Sequence, residues 1–247
     1  MRGVLATMER ELRSYFLSPL GWVVATGFIF FNGLSFQTIL SYLLNPQAPA
    51  AMTPLDFFFG GTIFFWLSML AFGPVLTMRL LAEERRSGTL EMLLTAPISE
   101  GQVVIGKYLG AFIFFVFLWL PSLVYVALLA GKLPLYWGPI AASYLGVFGI
   151  GGMFLAIGVF TSAITRNQVV AAVLSLALTF FAFLPAFLEL LVNDPKLRDA
   201  LGYVNLYQHM DDFSKGIVDS RRLVYYLSVT AFFLFLASRA VEAGKGK

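Results

Sequence analysis

Hydrophobic positions along the chain gather into long blocks broken by short polar ones. Five of them, residues 20–44, 53–78, 108–130, 139–164 and 169–192, reach the roughly 20 apolar residues that a helix needs to cross about 30 Å of hydrocarbon. The second block carries its own start signal. Thr53 is placed to cap, Pro54 takes the first helical position, and Asp56 sits where a negative charge meets the helix dipole. A sixth block, 223–238, is shorter, and at 1.5 Å per residue it covers only about 24 Å. Arg221, Arg222 and Arg239 at its ends can snorkel, and its helix can begin earlier, within 213–220. Tyr225 and Tyr226 are expected in an interfacial aromatic belt.

Ahead of the first block, Leu5, Met8, Leu12 and Tyr15 or Phe16 recur at helical spacing, with Glu9, Arg10, Glu11 and Arg13 on other faces. This pattern predicts a short amphipathic helix over residues 1–16, lying in the headgroup layer. The alternative is a frayed polar terminus. The apolar run that follows is far longer than the 7–15 residues of a signal peptide's core, so the segment is expected to be retained.

The longest polar stretches, 79–107 and 193–222, are each too short to build a core of their own. A single all-α transmembrane domain over residues 1–247 is therefore expected. Lysine and arginine set its orientation. With the amino terminus inside, the inner segments hold eleven of these residues and the outer ones six, which favours both termini in the cytoplasm. The outer loop 193–222 balances five acids with five bases.

The stretch 79–107 holds eight charges, four of each sign. At about 2.5–3.5 kcal/mol for each charge placed at the membrane centre, the segment stays in water. Ser87-Gly88 breaks the preceding helix, and Thr89 can cap a new one in which Leu90, Leu93 and Leu94 share a face. Ala96-Pro97 stops it, because the residue before proline resists the helical region. Ser99 with Gln102 offers a capping pair for a further helix entering the third span. There "GKYLG", with Gly106 and Gly110, permits close helix approach. The product is a short apolar ridge with acidic flanks, suited to a protein partner. The alternative, an interfacial helix on headgroups, fits a net-neutral segment less well, since such helices are usually basic.

Composition narrows the function. Hydrophobic residues make up 59% of the chain and charged ones 13%, against about 45–50% and about 25% in soluble domains. Cysteine is absent, which excludes disulfides and thiolate chemistry, and a net charge of +3 gives no footprint for nucleic acid. The single histidine, His209, stands beside Asp211 and Asp212 and reads better as an ordinary hydrogen-bonded side chain than as a catalytic or metal-binding one. Span interiors are almost free of charge, which disfavours proton- or sodium-driven transport. "GKY" and "GKL" lack the rest of a phosphate-binding loop, so the chain is expected to be no enzyme, without catalytic residues, metal or cofactor of its own.

"EERRSGTLEMLLTAPIS" resembles the cytoplasmic loop of type-2 ABC exporter permeases, and three further stretches resemble the same proteins in order. These are "RELRSYFLSPLGWVV", "LAIGVFTSAITRNQVVAA" and "DDFSKGIVDSRRLVYYLSVTAFFLFLASR". The nearest branch looks like the gliding-motility and copper-enzyme-maturation permeases. The resemblance implies six spans in the inner membrane, pairing with a second permease as homodimer or heterodimer, and two copies of an ATP-binding subunit that hold the ATP and magnesium. Glu84, Arg85, Gly88, Thr89, Leu90, Glu91, Leu94 and Pro97 would then form the element that couples to the ATPase. In that scheme the leucines dock, Gly88 and Pro97 shape the turn, and Glu84, Arg85 and Glu91 make orienting ion pairs. Pro74, Pro121 and Pro185 lie within spans as possible kinks, and "GVFGIGG" permits tight packing against a pore, a dimer seam or an internal neighbour. A non-transporting subunit that relays ATP-driven motion to an external accessory protein is the other reading.

Overall fold

The computed structural model describes residues 2–45, 57–88, 99–131 and 136–244. All regular structure among them is helical, and six stretches are long and apolar enough to cross a membrane: Pro19–Leu43, Ile63–Ser87, Glu100–Ala130, Trp137–Ile164, Gln168–Glu189 and Ser220–Ala243. Helix α1 (Arg2–Leu17) precedes them. Helix α2 (Pro19–Leu43) follows after one residue, with Ser18 capping it through a 3.1 Å bond from the Gly21 N–H and Pro19 in its first turn.

The second span departs from its expected start. Thr53, Pro54 and Asp56 lie outside the described residues, and the membrane-length helix begins well after them. Phe59 and Gly60 leave helical geometry, Gly60 with a φ of +123°, a region that glycine enters without steric cost, so the kinked turn Phe57–Gly61 cannot run on as an α-helix. Thr62 then caps α3 (Ile63–Thr77), accepting from the Phe65 N–H at 3.3 Å. A turn over residues 78–81 leads into α4 (Ala82–Ser87).

The third span begins earlier than 108. The expected capping pair is present in both halves, with Gln102 N–H donating to Ser99 Oγ at 3.4 Å and Ser99 N–H to Gln102 Oε1 at 3.3 Å. Helix α5 (Glu100–Trp119) runs straight from this cap into the span. It breaks at Leu120-Pro121 and resumes as α6 (Ser122–Ala130), the joint tightened by i to i+3 bonds such as Val124 N–H to the Pro121 carbonyl at 3.1 Å.

Helix α7 (Trp137–Ile164) is the axis of the bundle and its most buried span. Around it stand α3, α5, α8 (Gln168–Phe181), α11 (Leu206–Ser214) and α12 (Ser220–Ala243), while α9 (Leu184–Leu191) and α10 (Pro195–Gly202) connect α8 to α11. The glycines of α7 make this possible. A Cβ added at Gly146 would fall 2.7 Å from the Phe213 ring, at Gly149 2.5 Å from Tyr226, and at Gly151 2.2 Å from Phe115. "GVFGIGG" is therefore an internal seam that receives aromatic rings from three separate helices.

The prolines differ in role. Pro74 lies inside α3 one turn before its end, and Pro121 sits at the α5–α6 joint. Pro185 stands in the first turn of α9, where its missing N–H breaks no helical bond. The sixth span is longer than 223–238: its helix has 24 residues, about 36 Å, and starts from an Asp219 cap on the Arg221 N–H. Tyr226 is not in an interfacial belt. It is 2% exposed, pressed onto Gly149.

Candidate functional site

At one end of the bundle, α1 lies against α5. The approach is set by Gly106, where a Cβ would fall 2.7 Å from Thr7 Cβ and 2.9 Å from the Val4 carbonyl oxygen, and by Gly110, where it would fall 2.8 Å from Glu11 Cβ. The close approach expected of "GKYLG" is thus made to the amino-terminal helix. Thr7 and Tyr15 are buried and Leu12 and Phe16 pack against the core, so the expected apolar stripe of α1 faces inward except at Leu5, which is 56% exposed. Aromatic and polar anchors fix that face. The Tyr15 ring stacks on Phe114 at 4.8 Å, its hydroxyl donates to the Leu76 carbonyl at 2.6 Å, and the Arg79 guanidinium lies 5.0 Å over its face.

Between these helices Lys107 is 1% exposed. Its Nζ donates to Glu11 Oε1 at 2.7 Å and lies 2.9 Å from Glu84 Oε1. Arg10 Nη2 reaches the same two oxygens at 3.1 and 2.8 Å. Each glutamate therefore faces both cations. That alternation offsets a desolvation cost of several kcal/mol per buried ion. Burial opposes ionisation of Glu11, yet the Lys107 ammonium and then the Arg10 guanidinium hold its carboxyl below the usual carboxylate range. Glu84 Oε2 is buried with no hydrogen-bond partner among the described residues.

Two further ties hold α4. Ser162 Oγ on α7 accepts the N–H groups of Leu81 and Ala82, both at 3.0 Å, and donates to the Met78 carbonyl at 3.1 Å. Arg85 Nη2 donates to the Ala240 carbonyl on α12 at 2.6 Å. A six-residue helix is thus bonded to α1, α5, α7 and α12, the last three belonging to different spans.

Residues 8–241 match a family model described as ABC-2 family transporter protein. The chain belongs to the ABC-2 transporter family. No curated protein matches it. Membership makes the chain a membrane subunit of an ABC transporter, a multi-pass protein that implies an ATP-binding partner subunit.

In this permease three of the expected coupling residues are placed by the structure. Glu84 spends one oxygen within the chain on Arg10 and Lys107, Arg85 spends its guanidinium on α12, and Gly88 ends α4 with a φ of +73°. Thr89, Leu90, Glu91, Leu94 and Pro97 lie outside the described residues. Sequence reasoning missed Arg10, Glu11, Lys107 and Ser162 as partners of this element. One signal was available: a lysine flanked by glycine at the start of an apolar run, where burial requires a counter-charge. For Ser162 there was none, because a serine in a span more often bonds its own helix.

His209, at the opposite end of the permease, is 1% exposed, with Nδ1 2.9 Å from the Tyr226 hydroxyl and Nε2 3.1 Å from the Tyr203 carbonyl. Burial, then the nearby Arg222 charge, pushes its pKa down from 6.5 to about 4. The unfolded state thus takes up a proton first. Stability should fall as pH drops from 6.5 towards 4, with no further loss from this group below. Thermal unfolding of the detergent-solubilised permease should show that slope, and His209→Gln should flatten it.

Proposed function

We propose that this permease is the membrane half of an exporter, driven by ATP hydrolysis in two copies of a partner ATPase, and that residues 84–97 receive the stroke. In this reading Leu90 and Leu94 dock on the ATPase, Thr89, Glu91 and Pro97 shape and orient the short helix, and ATP with magnesium stays in the partner. The chain itself carries out no chemistry. The observation that carries the reading is Lys107: its ammonium joins α4, which leads into the proposed docking segment, to α1 and α5. A push on the segment would enter the bundle through bonds to α1, α5, α7 and α12 rather than through a loose loop. Pro121, at the α5–α6 joint, is a place where such a push could bend a span.

The excess of lysine and arginine favours α1 and both termini on the cytoplasmic side of an inner membrane, with a second permease, identical or related, completing the complex. The resemblance to gliding-motility and copper-enzyme-maturation permeases adds the branch. The orientation has a direct test in a cysteine-free chain. Ser87→Cys and Lys196→Cys, both exposed, should label from opposite sides of sealed vesicles; labelling from one side would overturn the arrangement.

Export itself is tested by reconstituting the permease with its ATPase and following ATP-dependent release of candidate cargo from inverted vesicles. Transport that stops with Leu94→Glu supports the reading. ATP turnover without transport, but dependent on an external protein, supports the motion-relaying alternative.

A further inference from the structure

Two adjoining depressions at the end of the bundle remote from α1 play no part in the coupling just described. One is an apolar cleft of about 550 Å³ between α3, α8, α9 and α11, walled by Trp66, Phe183 and Phe187 among others. Its size falls within the roughly 300–1,000 Å³ of sites that hold small organic ligands. The other is a polar pocket of about 250 Å³ formed by α10, α11 and the start of α12. Glu189 and Gln208 line both, so cleft and pocket meet along one rim.

The pocket carries charge of both signs, and part of it is unspent. Arg222 is engaged by Asp212 and by the carbonyls of Gln208 and His209, while Glu189 accepts from Asn205 Nδ2 at 2.7 Å and pairs with Arg198 Nε at 3.9 Å. The Asp219 carboxylate caps α12. The side chains of Arg221 and Asp199 line the pocket, and neither has a charged or hydrogen-bonding partner among the described residues. A wholly apolar ligand would leave these charges idle. A purely anionic or purely cationic head would satisfy one and be repelled by the other. A head with one cation and one anion answers both, and the cleft beside it is shaped for the apolar tail of the same molecule.

We propose that cleft and pocket together bind one zwitterionic phospholipid, its phosphate at Arg221, its amine at Asp199 and an acyl chain against Trp66 and Phe187. This names a ligand class for the permease and rests on the permease reading for its membrane setting. Binding is read without the ATPase, so a failure of coupling and a failure of this site give different results.

The test is native mass spectrometry of the full chain equilibrated with defined mixtures of phosphatidylethanolamine and phosphatidylglycerol. One phosphatidylethanolamine should be retained at least about tenfold more tightly than phosphatidylglycerol. Arg221→Gln and Asp199→Asn, both on exposed side chains, should each weaken it about tenfold, equivalent to about 1.4 kcal/mol. Ala186→Phe, which fills the cleft, should abolish retention, and an unchanged unfolding midpoint in the charge variants separates their effect from misfolding. Equal retention of the two lipids, unchanged affinity in both charge variants, or a cleft that retains no lipid because a second copy covers it would each overturn the proposal.

Discussion

Replacing Lys107 with methionine should destabilise the permease by about 3–5 kcal/mol, the usual cost of removing one partner from a buried ion pair. The reason is geometric. Lys107 and Glu11 have side-chain exposures of 2% and 13%, and Glu84 has 15%, so without the ammonium two poorly hydrated carboxylates face each other with only Arg10 between them. Thermal unfolding in detergent measures the loss. Glu84→Gln in the same chain should recover part of it, because the repulsion between the two carboxylates is removed, so the double variant should lose less than the two single variants added together. The permease–ATPase complex should also lose transport while still hydrolysing ATP, since the docking segment would remain but its tie to α5 would be cut. Full additivity, with transport retained, would remove Lys107 from the account.

Gly106→Leu should also destabilise the permease, through sterics alone. The first atom of the new side chain would meet Thr7 Cβ at 2.7 Å and the Val4 carbonyl at 2.9 Å, and the carbonyl is backbone that cannot rotate aside. Overpacking of this kind costs about 1–3 kcal/mol or more, and the way to relieve it is to lift α1 from α5. Trypsin should then cleave after Arg10 and Arg13 much faster than in the parent protein. Gly101→Leu is the control on the same helix, because a Cβ there has only Ser238 Oγ within reach, at 3.9 Å. It should leave cleavage unchanged. Protection of α1 in both variants would mean that its seat does not depend on the glycine.

What the sequence disclosed follows from the range of the interactions involved. The capping box of Ser99 and Gln102 and the stop at Gly88 depend on neighbours three or four residues away, and both were readable. Span number was readable because an apolar block states its own length. Where a helix begins inside such a block was not. Thr53, Pro54 and Asp56 outweighed Thr62 on local signals, although a positive φ at Gly60 separates the two starts. The sixth span looked short because hydropathy discounts Ser220 to Arg222 and the stretch after Arg239, which remain helical behind the Asp219 cap. Pairings over long separations were the least visible. "GKYLG" announced a close contact without naming its partner, and the burial of Lys107 against Glu11, 96 residues away, and Glu84 was not read at all. The outward position of Leu5, the one stripe residue of α1 that does not face the bundle, follows from those same distant contacts.

The central claim is that the ATPase meets this permease at the turn after α4. A photo-crosslinking residue placed at Leu94, in the native complex, tests it most directly. The account predicts a covalent adduct with the ATP-binding subunit, lost when Leu90 is changed to glutamate. An ATP-binding subunit that crosslinks from the end of α12 instead, and never from position 94, would contradict it.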